Sequence, residues 1–282
     1  MIKAIDHLIV VVEDLDSAIE NYTNIFGFGP SWRGVHSELG TANALFALDN
    51  LYLELLAANS HEGTGALMVK ATLEQDGEGL AGLVFGTSNI SAAKTNLEDQ
   101  GIKLGDLTVG TGFDNDQGLT RTWKNLFLPF SLTRGLFTFL IEHETGSLPK
   151  VANVSFSSVQ KLDHVVVNTN DPDGLLNLYK NKFGIRLALD QTIEKWGGRM
   201  LFFRLNETTI EVIGKLTDDA ESIDKLWGLA WTVSDIKESH KRLSLSGVEI
   251  TPIKDGRKNK TLVCTLKSHT CGVPTLLIQQ LS

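Results

Sequence analysis

The feature that most constrains this chain is that it contains the same pattern twice. Ile5-Asp6-His7-Leu8-Ile9-Val10-Val11-Val12 is a β-branched apolar run with one imidazole near its start, and it opens into the polar helix start Glu13-Asp14-Leu15-Asp16. The run returns as Leu162-Asp163-His164-Val165-Val166-Val167, 157 residues later. The same offset carries Tyr22 onto Tyr179, Phe26 onto Phe183, Gly27 onto Gly184 and Glu54 onto Glu211 without a gap. A register shared by five kinds of side chain is an internal duplication.

The unit that is duplicated reads as βαβββ. After the first strand, at 3–12, the pattern predicts a helix over about 14–25, with Asp14 or Asp16 as its cap, Ala18, Ile19 and Tyr22 as its apolar stripe and Gly27 as its stop. Strands follow near 29–36, 41–48 and 50–57. A second unit starts at Gly82-Leu83-Val84-Phe85, enters a helix at Asn89 that ends at Gly101, and closes on the strand Leu136–Glu142. Between these, the Gly- and Asp-rich stretch 106–120 reads as a surface loop or lid. The third unit repeats the first, with its helix near 172–182. The fourth opens at Gly228, has a helix from Ser234 to Gly247 and closes on Thr275–Gln279.

One helix on a short mixed sheet leaves the other sheet face bare. Two units must therefore pair around a shared cleft. The expected architecture is α+β, with four βαβββ modules in two domains, each a curved mixed sheet around a cleft with its helices outside. The divisions are 1–145 (modules 1–75 and 76–145), a linker at 146–159, and 160–282 (modules 160–218 and 219–282).

Composition narrows the partners. Hydrophobic residues at 42% suffice for packed cores. A net charge of −8 with scattered Lys and Arg argues against a nucleic-acid surface. Cys264 and Cys271 are too few for a disulfide framework and lack metal-ligand spacing. The N-terminal run is interrupted by Asp6 and His7, unlike a signal peptide, and no apolar stretch approaches the ~20 residues of a membrane span. A cytoplasmic protein with a small-molecule substrate, bound to neither nucleic acid nor membrane, is expected. Pairing of modules between two chains, as a homodimer, stays open. No phosphate-cradling glycine turn and no Gly-x-Ser-x-Gly elbow is present.

The βαβββ repeats, with His on the first strand and Glu on the last, resemble the vicinal oxygen chelate superfamily of glyoxalases, bleomycin-resistance proteins and extradiol dioxygenases. Arg33-Gly34-Val35-His36, Gly40-Thr41-Ala42-Asn43-Ala44-Leu45 and Tyr52-Leu53-Glu54-Leu55-Leu56 are similar to its glyoxalase-like subgroup. The resemblance implies four cleft-facing slots per domain: His7, Glu54, Gly82 and Glu142 in the first, and His164, Glu211, Gly228 and Gln279 in the second. It thereby implies a divalent metal (Fe, Mn, Ni, Co or Zn) on His7, Glu54 and Glu142, with His36 as a further candidate, and a weaker centre at His164 and Glu211. Glu142 would also move the proton. His143, one residue on, would face the other way and be structural. The expected pocket is Trp32, Arg33, Asn43, Phe46, Trp123 and Phe139, joined by Phe127, with Arg33, Arg121 or Arg134 for a carboxylate or enolate.

Two readings follow from the resemblance. One is a metal-dependent lyase or isomerase of glyoxalase type acting on an oxygen-chelating substrate. The other is a metal-free binding or sequestration protein of bleomycin-resistance type. Ring-cleaving dioxygenase chemistry is disfavoured, because Gly228 and Gln279 stand where two of its ligands belong.

Overall fold

The structure is a computed structural model that describes residues 2–114, 117–151, 154–193, 198–215 and 224–281. The expected module boundary at 218/219, part of the 146–159 linker and the tip of the 106–120 stretch lie outside the described residues.

The first half runs β1 (Ala4–Val11), α1 (Leu15–Phe26), β2 (Trp32–His36), β3 (Thr41–Ala47), β4 (Tyr52–Ala58), α2 (Thr64–Asp76), β5 (Gly79–Gly86), α3 (Ile90–Asp99), β6 (Thr108–Asp114), β7 (Leu119–Phe127), α4 (Phe130–Thr133) and β8 (Phe137–Thr145). Its eight strands close into a barrel in the order β1-β4-β3-β2-β6-β7-β8-β5. The second half runs β9 (Val159–Thr169), α5 (Pro172–Leu176) continuing into a π-helical stretch Asn177–Lys182, β10 (Arg186–Ile193), β11 (Gly198–Leu205), β12 (Thr208–Lys215), β13 (Lys225–Val233), α6 (Ile236–Leu245), β14 (Lys254–Asp255), β15 (Thr261–Leu266) and β16 (Thr275–Gln280). These strands form an open curved sheet in the order β10-β11-β12-β9-β13-β16-β15-β14.

Local chemistry explains the helix ends. The Asp14 side chain accepts from Ser17 N at 2.7 Å and caps α1, and Gly27, at φ 81°, stops it in the left-handed region. Two features depart from expectation. The 106–120 stretch contributes β6 and the start of β7, whose hairpin closes the barrel where Gly34 pairs with Asp114. Arg33 N and Gln117 N both donate to the Asp114 carboxylate, and Gln117 also donates to Ser31 O, so the hairpin is tied down at this seam. Helix α2 is an addition to the βαβββ plan.

The packing has two layers. Outer sheet faces and helices of both halves share one core, in which Phe26 meets Trp231 at 5.0 Å and Phe85 meets Phe183 at 5.7 Å. A smaller cluster fills the barrel interior: Ile9, Val11, Leu56, Val84, Phe139 and Ile141, with Val69 of α2 packed among them. Helix α2 thus seals one end of the barrel. Among the described residues no helix is long and apolar enough to cross a membrane.

Candidate functional site

The other part of the barrel interior is polar. Along β1 the pairing with β5 slips between Ile5 and His7, so Asp6 is the extra residue of a β-bulge. The bulge lets two consecutive side chains meet, and Asp6 Oδ1 lies 2.7 Å from His7 Nδ1. Asp6 Oδ2 lies 2.9 Å from His143 Nε2. Burial pushes the Asp6 carboxyl up, but the hydrogen bonds and charges of His143 and His7 outweigh it and hold Asp6 well below the usual carboxylate range.

Because the Asp6 carboxylate only accepts, it fixes a proton on His7 Nδ1 and leaves Nε2 to face Glu54 Oε2 at 3.5 Å. Glu54 is fixed in turn by Asn43 Nδ2, which donates to Oε1 at 2.7 Å. His7 stacks on Tyr52 at 4.5 Å and meets the edge of Phe139 at 5.7 Å. Burial raises the Tyr52 phenol far above its ordinary pKa, so it stays protonated.

Beside this chain lies Arg121 of β7, only 5% exposed. Its guanidinium carbon sits 5.5 Å from the Trp32 ring centroid and 5.6 Å from that of Tyr52, and one terminal nitrogen is 3.5 Å from His143 Nδ1. Arg121 Nε has no hydrogen-bond partner, and no carboxylate among the described residues pairs with this guanidinium. A cation this buried without a counter-charge is costly. Room for the indoles is made by glycines: a Cβ on Gly110 would fall 2.3 Å from Trp123 Nε1.

The structure therefore brings together His7, Glu54, Asn43, Trp32 and Phe139 around the barrel interior, with Trp123 packed beside the inner cluster. It places the other expected residues elsewhere. Glu142 is in phase with Leu140 of the outer core, and its Oε2 accepts from Ile90 N at 2.9 Å, so it caps α3 instead of completing a ligand triad. Gln279 does the same for α6 through Ile236 N at 3.0 Å. His36 ends β2 against Thr41 Oγ1. Phe46 lies in the outer core against Phe26 and Tyr22, because its strand turns that side toward α1. Arg33 points outward to Asp16, and Arg134 pairs with Asp171 and Asp224. Phe127 is 46% exposed and packs against Phe137 and Phe139.

Three participants escaped the sequence reading: Asp6, Tyr52 and His143. The repeated Asp-His pair, Asp6-His7 and Asp163-His164, was the available signal for the first. His143 shares the phase of Phe139 and Ile141, the reverse of the expectation.

In the open sheet the arrangement repeats in outline. His164 Nδ1 lies 2.8 Å from Asp163, and Nε2 lies 3.3 Å from Glu211. Burial raises the Glu211 carboxyl. In both halves the donors aimed at one point number two, and among the described residues no group of three or more His, Cys, Asp or Glu side chains is placed to hold a metal ion. Catalytic zinc and non-haem iron sites are built on three protein ligands. The side chains here do not fit that requirement.

Residues 5–161 match the family model described as a Glyoxalase-like domain, and residues 163–265 match that of the Glyoxalase/Bleomycin resistance protein/Dioxygenase superfamily. Solved structures with the same fold include a mutant 4-hydroxymandelate synthase from Streptomyces coelicolor (16% identity, 99% of this chain and 92% of that one, TM-score 0.70). They also include a hypothetical protein from Staphylococcus aureus (12%, 99% and 100%, TM-score 0.68) and a Mn(II)-bound glyoxalase from Novosphingobium aromaticivorans (14%, 100% and 83%, TM-score 0.65). No curated protein matches the chain significantly. The duplicated βαβββ plan, the paired His and Glu positions and these matches agree: the chain belongs to the glyoxalase-like family of the vicinal oxygen chelate superfamily.

Proposed function

We propose that the first barrel binds a small, oxygen-bearing organic anion and moves a proton on it, as an isomerase or lyase would. The observation that carries this is Arg121: a buried guanidinium with an unpartnered Nε and no carboxylate is an anion anchor waiting for its ligand. Next to the anchor stand two proton-transfer groups with separate supports. Glu54, oriented by Asn43, accepts a proton from the bound molecule. Glu54 passes that proton to His7 Nε2, 3.5 Å away, Asp6 stabilises the imidazolium so formed, and His7 returns the proton to the product, so the protons balance over the cycle. Tyr52, Phe139 and Trp32 supply the apolar wall and exclude water. With two donors aimed at one point, the chemistry rests on these side chains rather than on a resident ion.

The test is hydrogen exchange. In D2O the protein should wash deuterium into the carbon next to the carboxylate of a bound organic acid, followed by NMR, and Glu54→Gln should slow this by about 100-fold or more. Exchange should survive dialysis against a chelator. If it is lost with the chelator and restored by Fe, Mn, Ni, Co or Zn, a metal held by His7 and Glu54 replaces this reading. Tight binding without any exchange supports the sequestration protein instead.

A further inference from the structure

We infer that Tyr52 is a further catalytic residue of the first barrel: its O–H donates to the oxygen that gathers negative charge when Glu54 takes the proton, which makes the substrate a 3-oxo acid. This rests on the anion reading above. Tyr52 opens β4 and is the parallel-ladder partner of His7, so the two rings lie side by side in the sheet and stack at 4.5 Å. Glu54 is two residues further along the same strand, hence on the same face, roughly 6.6 Å on. The phenol ring thus stands between the anion anchor and the proton-transfer pair, with the Arg121 guanidinium carbon 5.6 Å from its centroid.

What the hydroxyl is bonded to decides what it can still do. Arg121 is its hydrogen-bond partner, and a guanidinium only donates, so the phenol oxygen accepts there and its proton must point elsewhere. Asp6 and Glu54 act on the phenol through charge without a hydrogen bond to it, and both Asp6 oxygens already serve His7 and His143. Tyr52 also keeps part of its surface open, while Trp32 and Phe139 beside it are buried. A donor without a protein acceptor therefore stands where a ligand can reach the wall. The duplicated position is Thr209, a hydroxyl that again accepts from an arginine, Arg204 Nη1, at 2.7 Å. A threonine is too short to carry that hydroxyl past its own strand, so the reach is what the first half adds.

The donor selects the substrate. With the carboxylate on Arg121, removing the neighbouring proton of a plain acid puts a second negative charge on that same carboxylate. A carbonyl one carbon further on takes the charge on a separate oxygen, the one given to Tyr52. The C–H bond between the two groups breaks and its electron pair forms a C=C bond. The ketone π pair moves onto oxygen, and the proton goes to Glu54. Return of the proton reverses each movement and needs no oxidant or co-reactant.

The experiment uses the full chain. Deuterium exchange at C2 of acetoacetate, followed by NMR in D2O, should exceed the spontaneous rate. Tyr52→Phe, which keeps the stacked ring, should lower kcat by about 100-fold with little change in KM. Calorimetry supplies the binding readout: salicylate carries its oxygen where the enol of a 3-oxo acid carries one, and should bind about tenfold more tightly than benzoate. That preference should vanish in Tyr52→Phe while benzoate affinity holds. If Tyr52→Phe weakens both acids alike, the phenol only positions Arg121 and the inference is overturned; an unchanged kcat overturns it too. In either case, loss of benzoate binding in Arg121→Met leaves the anion anchor standing, whereas no binding of either aromatic acid and no exchange overturns both.

Discussion

Asp6 serves two imidazoles at once, and its energetics follow from that. A carboxylate held below its ordinary pKa in the folded state contributes stability above about pH 4, and the contribution is lost as the pH falls toward the folded-state value. Thermal melts between pH 7 and pH 3 should show this acid limb, and Asp6→Asn should flatten it while costing about 2–3 kcal/mol at neutral pH. A mutant with an unchanged acid limb would mean that the two histidines do not hold the carboxylate charged. At this scale sequence was informative about types and weak about phase. His7 and Glu54 were legible because the duplication repeats both. Asp6 was not, because alternation places neighbours on opposite faces and only the bulge brings Asp6 against His7.

The strands and helices explain the remaining discrepancies. In β8, Phe137, Phe139 and Ile141 alternate with Thr138, Leu140 and Glu142, and apolar residues stand on both sides because the strand is covered on both faces. Such a strand carries no phase information, so Glu142 and His143 were assigned to each other's face. Helix α2 was missed because its buried residues, Ala66 and Val69, make no continuous stripe. The correction about Glu142 is testable. Glu142→Ala removes the acceptor for Ile90 N at the start of α3 and should cost about 1 kcal/mol, a fall in Tm of roughly 2–4 °C, with carboxylate affinity unchanged. Loss of binding without loss of stability would return Glu142 to the site.

The two halves share one core because a helix of each packs on the sheet of the other, Phe26 of α1 on Trp231 of β13 and Tyr179 of the π-helical stretch on Phe85 of β5. Arg242 of α6 donates to Ile25 O at 2.9 Å and to Ser157 O at 3.1 Å, so the second half satisfies carbonyls at the C-terminal end of α1 in the first. Arg242→Ala should lower Tm while unfolding remains a single transition; two resolved transitions would mean that the shared core does not couple the halves. Duplication made this bipartite plan readable from sequence, but it gave no hint that one half closes into a barrel and the other stays open. That difference is decided by the β6–β7 hairpin, which meets β2 at Gly34 and brings Arg121 over Trp32. The central claim, that Arg121 of the closed barrel anchors an organic anion, is tested most directly by the stoichiometry of carboxylate binding to the intact chain by calorimetry. The prediction is one site per chain, abolished by Arg121→Met and retained in His164→Ala; binding that survives Arg121→Met, or that disappears with His164, would contradict it.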